Sequence, residues 1–216
     1  CWVDHILFAR NSYNFTFLLR YKNDKTNLFT SLIFYDFKNK KISVCLNTGM
    51  AGHGSWLNEK QFVIWGRKKR FVQNLSKYKS SFIKNIINLV RKHGVPNIIR
   101  KNVYGDTFLS FNTDTKQIID LKLNIPTNIG GGHFSFTKDE KYMISDTYHD
   151  NNMQSLMFKY EMKLKKVTKL NKFKTENFLL NKSFRCDLHP RIISNNKAII
   201  DSTHEGFRGI YITNLG

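Results

Sequence analysis

The chain has 216 residues, of which 41% are hydrophobic and 14% aromatic, which is enough for a folded core and argues against a disordered chain. Its 35 Lys and Arg against 16 Asp and Glu give a formal net charge of +19. No run approaches the ~18 apolar residues of a membrane span, and three scattered cysteines (Cys1, Cys45 and Cys186) exclude a disulfide framework or a four-cysteine zinc site.

The charge favours anionic partners: nucleic acid, an anionic membrane surface or an acidic polysaccharide. A compositional bias explains it equally well, because Lys, Asn and Ile are abundant along the whole length. The chain begins at Cys1 with no charged and apolar leader, so no signal peptide is predicted. A processed end, an artificially chosen boundary and a truncated gene all remain open for this start.

Four segments of the chain repeat one pattern around a histidine. In chain order they contain Asp4-His5-Ile6, Gly52-His53-Gly54, Gly132-His133-Phe134 and Leu188-His189-Pro190. Each segment leads through a polar turn to a second apolar run, and further strands follow. These further strands are predicted at 31–37 and 41–46, at 107–112 and 117–123, at 155–160 and 166–170, and at 209–213.

Units of roughly 48 residues with four short strands each are typical of β-propeller blades. The sequence therefore predicts an all-β fold, a β-propeller of about four blades over residues 1–216, whose last blade lacks its outer strand. Such an array is either a small closed ring or part of a larger one. Its N-terminus, additional N-terminal blades or a second copy in a homodimer would then complete the ring.

The second unit carries an insertion at about 70–103 with helical spacing from Ser76 to His93. Ser76 suits an N-cap and Gly94 suits a stop. We expect a basic helix there, and three roles stay open for it: packing on the side of the propeller, a lid over the central site, or an interfacial membrane helix.

The repeated histidines His5, His53, His133 and His189 fall at the start of each innermost strand, which lines the central channel of a propeller. They are expected to meet at one mouth of that channel. Converging imidazoles bind a divalent metal such as Mn²⁺ or Zn²⁺, or act as acid or base near neutral pH. The alternative is a polar position that hydrogen-bonds the neighbouring blade.

A second repeated position, at the end of the second strand, holds Arg20, Arg67, Tyr148 and His204. This position is expected on the same face as the inner-strand histidines. Arg, Tyr and His there suit an anionic sugar, since Arg binds a carboxylate and Tyr or His transfers a proton. The alternative is that these residues form a solvated rim. Asp187 or Glu205 is predicted to orient a histidine or to complete a metal site. Cys186 and His189 form a C-x-x-H pair, which is a weak zinc signal.

Motifs of other enzyme classes are absent from the sequence. It has no GxSxG elbow, no GxxxxGK[ST] loop and no GxGxxG between a strand and a helix. Its basic residues do not gather with aromatics into a nucleic-acid module, so no specific nucleic-acid partner is predicted.

The unit from Gly132 to Tyr148, GHFSFTKDEKYMISDTY, resembles the blades of TolB-like propellers, and 185–191 with 201–206 resembles the following blade. Among these families the sequence is most similar to the oligogalacturonate lyase type. That resemblance implies a seven-bladed propeller with Mn²⁺ held in the channel by histidines and a glutamine, and β-elimination on a uronate in an acidic oligo- or polysaccharide. The sequence has about four blades and no close His-x-His pair with an upstream Gln.

Carried over by position, the resemblance implies His133, His189 and His204 as metal ligands and His53 or His5 as the base. It implies Arg185 or Arg67 as the carboxylate partner, and Tyr148 remains the proton-transfer candidate. A non-catalytic TolB-like scaffold, which binds an anionic glycan or a protein partner in surface-polysaccharide metabolism, is the alternative, as is a truncated relative without activity. Bacterial cytoplasm and periplasm both stay open.

Overall fold

The structure, a computed structural model, describes residues 1–22, 28–68, 105–123, 125, 132–150, 152–175 and 186–216. The helix expected within 70–103 and the site candidate Arg185 lie outside these residues. No helix in the described ranges is long and apolar enough to cross a membrane.

The described strands form four antiparallel sheets, each built from strands consecutive in sequence. Blade 1 contains β1 Trp2–Phe8, β2 Phe15–Lys22, β3 Leu28–Asp36 and β4 Lys41–Gly49. Blade 2 contains β5 Ala51–Trp56, β6 Gln61–Arg67, β7 Asp106–Asn112 and β8 Ile118–Asp120. Blade 3 contains β9 Phe134–Phe136, β10 Tyr142–Asp146, β11 Gln154–Glu161 and β12 Lys166–Lys174. Blade 4 contains β13 Arg191–Ser194, β14 Lys197–Ser202 and β15 Gly209–Asn214. The prediction of an all-β propeller of about four blades, with three strands in the last, is confirmed.

The strands form because apolar residues alternate with polar ones at the period of a pleated sheet. In β14, Ala198 and Ile200 are fully buried while Lys197 is exposed. Tight turns join the strands, and several use the left-handed backbone conformation, as at Asn11 (φ 54°) and Glu140 (φ 61°). The sequence pattern therefore specifies both the strands and the points where they reverse.

The first strand of each blade is the innermost, and these strands contact one another in the order β1, β5, β9 and β13. Side chains connect them directly. The indole Nε1 of Trp56 donates to the carbonyl of Leu7 at 2.9 Å, and the hydroxyl of Ser135 donates to the carbonyl of Pro190 at 2.9 Å. Residues at the starts of these four inner strands therefore lie close together, on the same side of the four blades.

Three hydrophobic clusters fill the spaces between consecutive blades. Cluster 1 joins blades 1 and 2 and includes Phe34 and Phe111. Cluster 2 joins blades 2 and 3 around Phe136 and Tyr160. Cluster 3, the smallest, joins blades 3 and 4 through Ile144, Ile200 and their neighbours. Each blade is therefore held by the blade next to it in sequence.

Candidate functional site

The four repeated histidines lie side by side in a row across the inner strands. The ring centroids of His5 and His53 are 5.2 Å apart, those of His53 and His133 are 3.9 Å apart, and those of His133 and His189 are 3.7 Å apart. Each blade contributes one imidazole, and each ring contacts the next. We call these four side chains the histidine row.

The inner strands place these rings by departing from regular pairing. In β1 the register with β2 shifts between Asp4 and Leu7, where His5 has a positive φ of 53°. In β5 it shifts between Ala51 and Gly54, around His53. His133 immediately precedes β9, and His189, with φ 44°, precedes β13. Irregular pairing redirects side chains at a sheet edge, which here applies to His5 and His53, whereas His133 and His189 stand before the first residues of their strands.

Asp146 fixes the half of the row formed by blades 3 and 4. Its carboxylate is buried and accepts hydrogen bonds from the backbone amides of His133 at 2.6 Å and His189 at 3.0 Å. The same carboxylate lies 3.2 Å from Nδ1 of His133. Nδ1 of His189 lies 2.8 Å from the backbone oxygen of Asp187. Because both acceptors are oxygens, Nδ1 carries the proton in these two rings.

His53 lies in the middle of the row and has an altered pKa. Burial, followed by the positive charge that the nearby His133 and His5 would carry, lowers the pKa of His53 to about 3. Its Nε2 lies 3.2 Å from the hydroxyl of Tyr148, a residue of blade 3 that is 40% exposed. His53 is therefore uncharged at neutral pH, and Tyr148 borders the row on the solvent side.

The two arginines predicted on this face form ion pairs at the ends of second strands. Arg20 pairs with Asp4 at 2.9 Å, and Asp4 in turn contacts Nδ1 of His5 at 2.8 Å. Arg67 donates from Nε and Nη2 to the buried carboxylate of Asp106 at 2.7 and 3.2 Å. Their charges are partly balanced within the protein, which leaves less of each for an incoming anion.

The residues proposed as metal ligands are only partly brought together. His133 and His189 are adjacent, but His204 packs its ring on Tyr211 and Phe173 and contacts the Ser202 hydroxyl at 2.8 Å. Among the described residues, no three His, Cys, Asp or Glu side chains are grouped so as to hold a metal ion. These residues therefore do not fit the three-histidine Mn²⁺ set, and we derive no metal-dependent step.

The other candidate ligands have structural roles in this arrangement. Cys186 is buried, and burial raises the pKa of its thiol. Asp187 orients His189 through its backbone oxygen, while its carboxylate lies 3.9 Å from His149. Glu205 is exposed beyond β14. The C-x-x-H pair thus consists of a buried thiol and a histidine of the row.

Asp146 is absent from the residues predicted from sequence, although it lies within the repeated motif that supports the resemblance. The sequence did contain a signal for it, because an aspartate recurs near the end of the second strand in two successive units: Asp146 in blade 3 and Asp201 in blade 4. A buried carboxylate between two inner strands requires backbone amides as partners, and sequence spacing alone does not show which amides those are.

Neither a family model nor a curated protein sequence matches the chain. Solved structures do match. TolB from Acinetobacter baumannii superposes with a TM-score of 0.56 at 12% identity, over 93% of this chain and 39% of that one. This likeness shows that the two chains share a β-propeller fold.

Two further solved structures have a similar fold. The β-propeller domain of the Trilobed protease from Pyrococcus furiosus matches with a TM-score of 0.52 at 10% identity, over all of this chain and 55% of that one. An oligogalacturonate lyase in complex with manganese matches with a TM-score of 0.52 at 9% identity, over 99% of this chain and 65% of that one. The chain thus spans between 39% and 65% of the length of these three structures.

Proposed function

We propose that this TolB-like propeller binds an acidic oligosaccharide along the histidine row. The observation that supports this proposal is the continuity of the row: one imidazole from each of four blades, each in ring contact with the next. His133 is buried between its neighbours, so the less buried rings of His5, His53 and His189 are the ones that suit an extended ligand. The formal net charge of +19 attracts a polyanion from solution.

The groups along the row suit hydrogen bonding to sugar hydroxyls. His53 is uncharged at neutral pH because its pKa is about 3, and it lies against the Tyr148 hydroxyl. An uncharged imidazole and a phenol each offer both a donor and an acceptor. Binding of uronate carboxylates by Arg67, which the sequence predicts, remains a prediction, because two donors of Arg67 are engaged by Asp106.

Metal-dependent β-elimination of a uronate is the second candidate. One observation favours it: Nδ1 of His133 and Nδ1 of His189 each contact an oxygen acceptor, as the outer nitrogen of a metal-ligating histidine commonly does. Two observations favour simple binding. The described residues form no three-ligand group, and a pKa of about 3 makes His53 a weak base at neutral pH.

The test is calorimetric titration with oligogalacturonate of defined length and with a neutral glucan of equal length. Tyr148→Phe removes one hydroxyl next to His53 and should raise the Kd for oligogalacturonate by roughly threefold to tenfold. Lys138→Ala is the control, because Lys138 lies in the turn between β9 and β10, at the opposite end of β9 from His133. It removes a positive charge without touching the row and should change the Kd far less.

Several outcomes decide between the candidates. Failure to bind oligogalacturonate overturns the proposal. Equal weakening by Lys138→Ala and Tyr148→Phe, together with equal binding of duplex DNA, indicates general attraction of polyanions instead. Release of unsaturated uronate product that requires added Mn²⁺ and is lost in His133→Ala would establish the second candidate.

A further inference from the structure

A polar cleft opens at the end of the blades opposite to the histidine row. The tight turns that follow the first strands of blades 1, 2 and 3 meet there, at residues 9–14, 57–60 and 137–141. Together with the beginning of the turn after β7 they border an open cavity of about 550 Å³, which we call the turn cleft. This volume lies within the ~300–1,000 Å³ of small-ligand sites. The turn cleft is therefore a second candidate site, separate from the histidine row.

Three half-buried side chains that line the turn cleft have unused N–H donors. Arg10, from blade 1, donates from Nη2 to the carbonyl of Phe136 in blade 3 at 2.8 Å, its one hydrogen bond among the described residues. The side-chain oxygens of Gln61 and Asn112 accept hydrogen bonds, whereas their N–H₂ groups donate none within the described part of the chain. The remaining donors of these three side chains therefore need acceptors from solvent or from a ligand.

The guanidinium of Arg10 is positioned to receive a carboxylate. It reaches from the turn of blade 1 to β9 of blade 3, and that anchor holds its plane while Nε and Nη1 stay without a partner in the described ranges. Arg20 and Arg67, at the histidine end, are both paired with aspartates. Arg10 forms no such ion pair among the residues that the structure describes. A fixed guanidinium with adjacent unused donors suits a carboxylate, which accepts two N–H groups at once.

The rim of the turn cleft carries carboxylates as well as cations. Asn11 donates to Glu59 at 3.0 Å, and Asn58 donates to Glu140 at 3.1 Å, each bond joining neighbouring blades. Both glutamates are exposed, and two lysines stand on the rim with them. Exposed carboxylates repel a polyanion, whereas a ligand with charges of both signs is complementary to this rim. The turn cleft thus favours a different ligand from the histidine row.

We propose that the turn cleft binds a short peptide, with a carboxylate of the peptide on Arg10 and a cationic group on Glu59 or Glu140. The carbonyl groups of a peptide accept hydrogen bonds from N–H₂ groups such as those of Gln61 and Asn112. All described lining residues are polar or charged, which disfavours an apolar ligand. A peptide C-terminus and an acidic side chain offer the same carboxylate, so the test separates these two sources.

The test uses three N-acetylated tetrapeptides that differ in their carboxylate. Alanyl-lysyl-alanyl-alanine carries it at the C-terminus, the amide of alanyl-lysyl-aspartyl-alanine carries it on a side chain, and the amide of alanyl-lysyl-alanyl-alanine carries none. Titration of the isotope-labelled 216-residue chain, followed in its amide NMR spectrum, gives the Kd and the location. We expect a carboxylated peptide to bind with a Kd of about 0.1–1 mM and to shift amides of the lining turns. The peptide without a carboxylate should bind at least about tenfold more weakly.

Arg10→Gln should raise the Kd of the carboxylated peptide by roughly tenfold to a hundredfold and leave that of the peptide without a carboxylate unchanged. Arg191→Gln is the matched control, because it removes the same charge from an exposed position in blade 4 outside the cleft. The dispersion of the amide spectrum shows whether each variant folds. If Arg10→Gln does not fold, Glu59→Gln/Glu140→Gln on the exposed rim replaces it and should weaken the carboxylated peptide by roughly threefold, since the peptide carries a lysine.

Several results would overturn the proposal. One is the absence of saturable shifts with both carboxylated peptides, and another is an equal Kd for peptides with and without a carboxylate. Shifts outside the lining turns, or equal weakening by Arg10→Gln and Arg191→Gln, would also contradict it. Oligogalacturonate that shifts the same turn amides at lower concentration than the peptides would make the turn cleft a polyanion site instead.

Discussion

The backbone amide of His189 donates a hydrogen bond of 3.0 Å to the carboxylate of Asp146, a residue 43 positions earlier in the chain. Asp146 ends the second strand of blade 3, whereas His189 precedes the first strand of blade 4. The same carboxylate binds the amide of His133. One buried side chain therefore sets the relative position of two imidazoles whose centroids are 3.7 Å apart.

Replacing this carboxylate with an amide should destabilise the protein. In Asp146→Asn an N–H₂ group takes the place of one of the two oxygens that accept these hydrogen bonds, so we expect the free energy of unfolding to fall by roughly 1.5–3 kcal/mol. Urea denaturation measures the change. The control Asp114→Asn alters an exposed carboxylate paired with Lys60 and should stay within about 0.5 kcal/mol of the wild type. Equal effects would refute the role given to Asp146.

A substitution at Gly132 tests how closely the backbone approaches Asp146. A Cβ at Gly132 would overlap the backbone oxygen of Asp146, so the chain would have to shift. Gly132→Ala should therefore cost roughly 1–3 kcal/mol in the free energy of unfolding and should displace His133. Gly52→Ala is the matched control, because its Cβ would meet its nearest atom at 3.4 Å. A neutral Gly132→Ala variant would contradict this arrangement.

The pKa of His53 makes stability depend on pH in a defined window. The folded protein does not protonate His53 until about pH 3, whereas the unfolded chain does so below about 6.5. Acidification between these values therefore favours the unfolded state. His53→Gln removes the effect, so its Tm relative to the wild type should rise by roughly 2–4 °C between about pH 7 and pH 4. This size allows for partial solvent exposure of the ring.

Other groups also contribute to the pH dependence of the Tm, so only the difference between variant and wild type is informative. Tyr148→Phe is the control, because it removes the hydroxyl next to His53 and keeps the imidazole. Its Tm should follow the pH dependence of the wild type. If the Tm of His53→Gln changes with pH in parallel with that of the wild type, His53 does not have the lowered pKa.

The three cysteines should differ widely in reactivity. Cys1 is exposed, whereas burial raises the pKa of Cys45 to about 12 and also raises that of Cys186. Because the thiolate is the reactive form, one thiol per chain should react rapidly with a thiol reagent at about pH 8 in the native protein. All three should react after denaturation. Rapid labelling that persists in Cys1→Ser would show that Cys45 or Cys186 is accessible.

Much of the fold could be predicted from sequence because each blade is a local unit. The alternation that buries Ala198 and Ile200 depends only on neighbouring residues, and so does a polar turn such as that at Glu140. The common position of the four histidines was also visible, since it follows from repetition alone. No long-range information is needed for either prediction.

The site was less predictable because its contacts cross between blades. Tyr148 and His204 hold the same repeat position, yet Tyr148 contacts His53 of blade 2 while His204 packs on Tyr211 of its own blade and Phe173 of blade 3. The direction of a side chain after the end of a strand depends on the turn that follows, and repeat position does not fix it. The register shift around His53 likewise leaves no mark in the spacing of apolar residues.

Among the described residues, the three clusters make the blades a linear array in which each blade is supported by its nearest neighbours. Amide hydrogens of β2 and β14, in the end blades, should then exchange with solvent through opening of a single interface. The amide hydrogens of β6 and β10, in the middle blades, are protected by two interfaces.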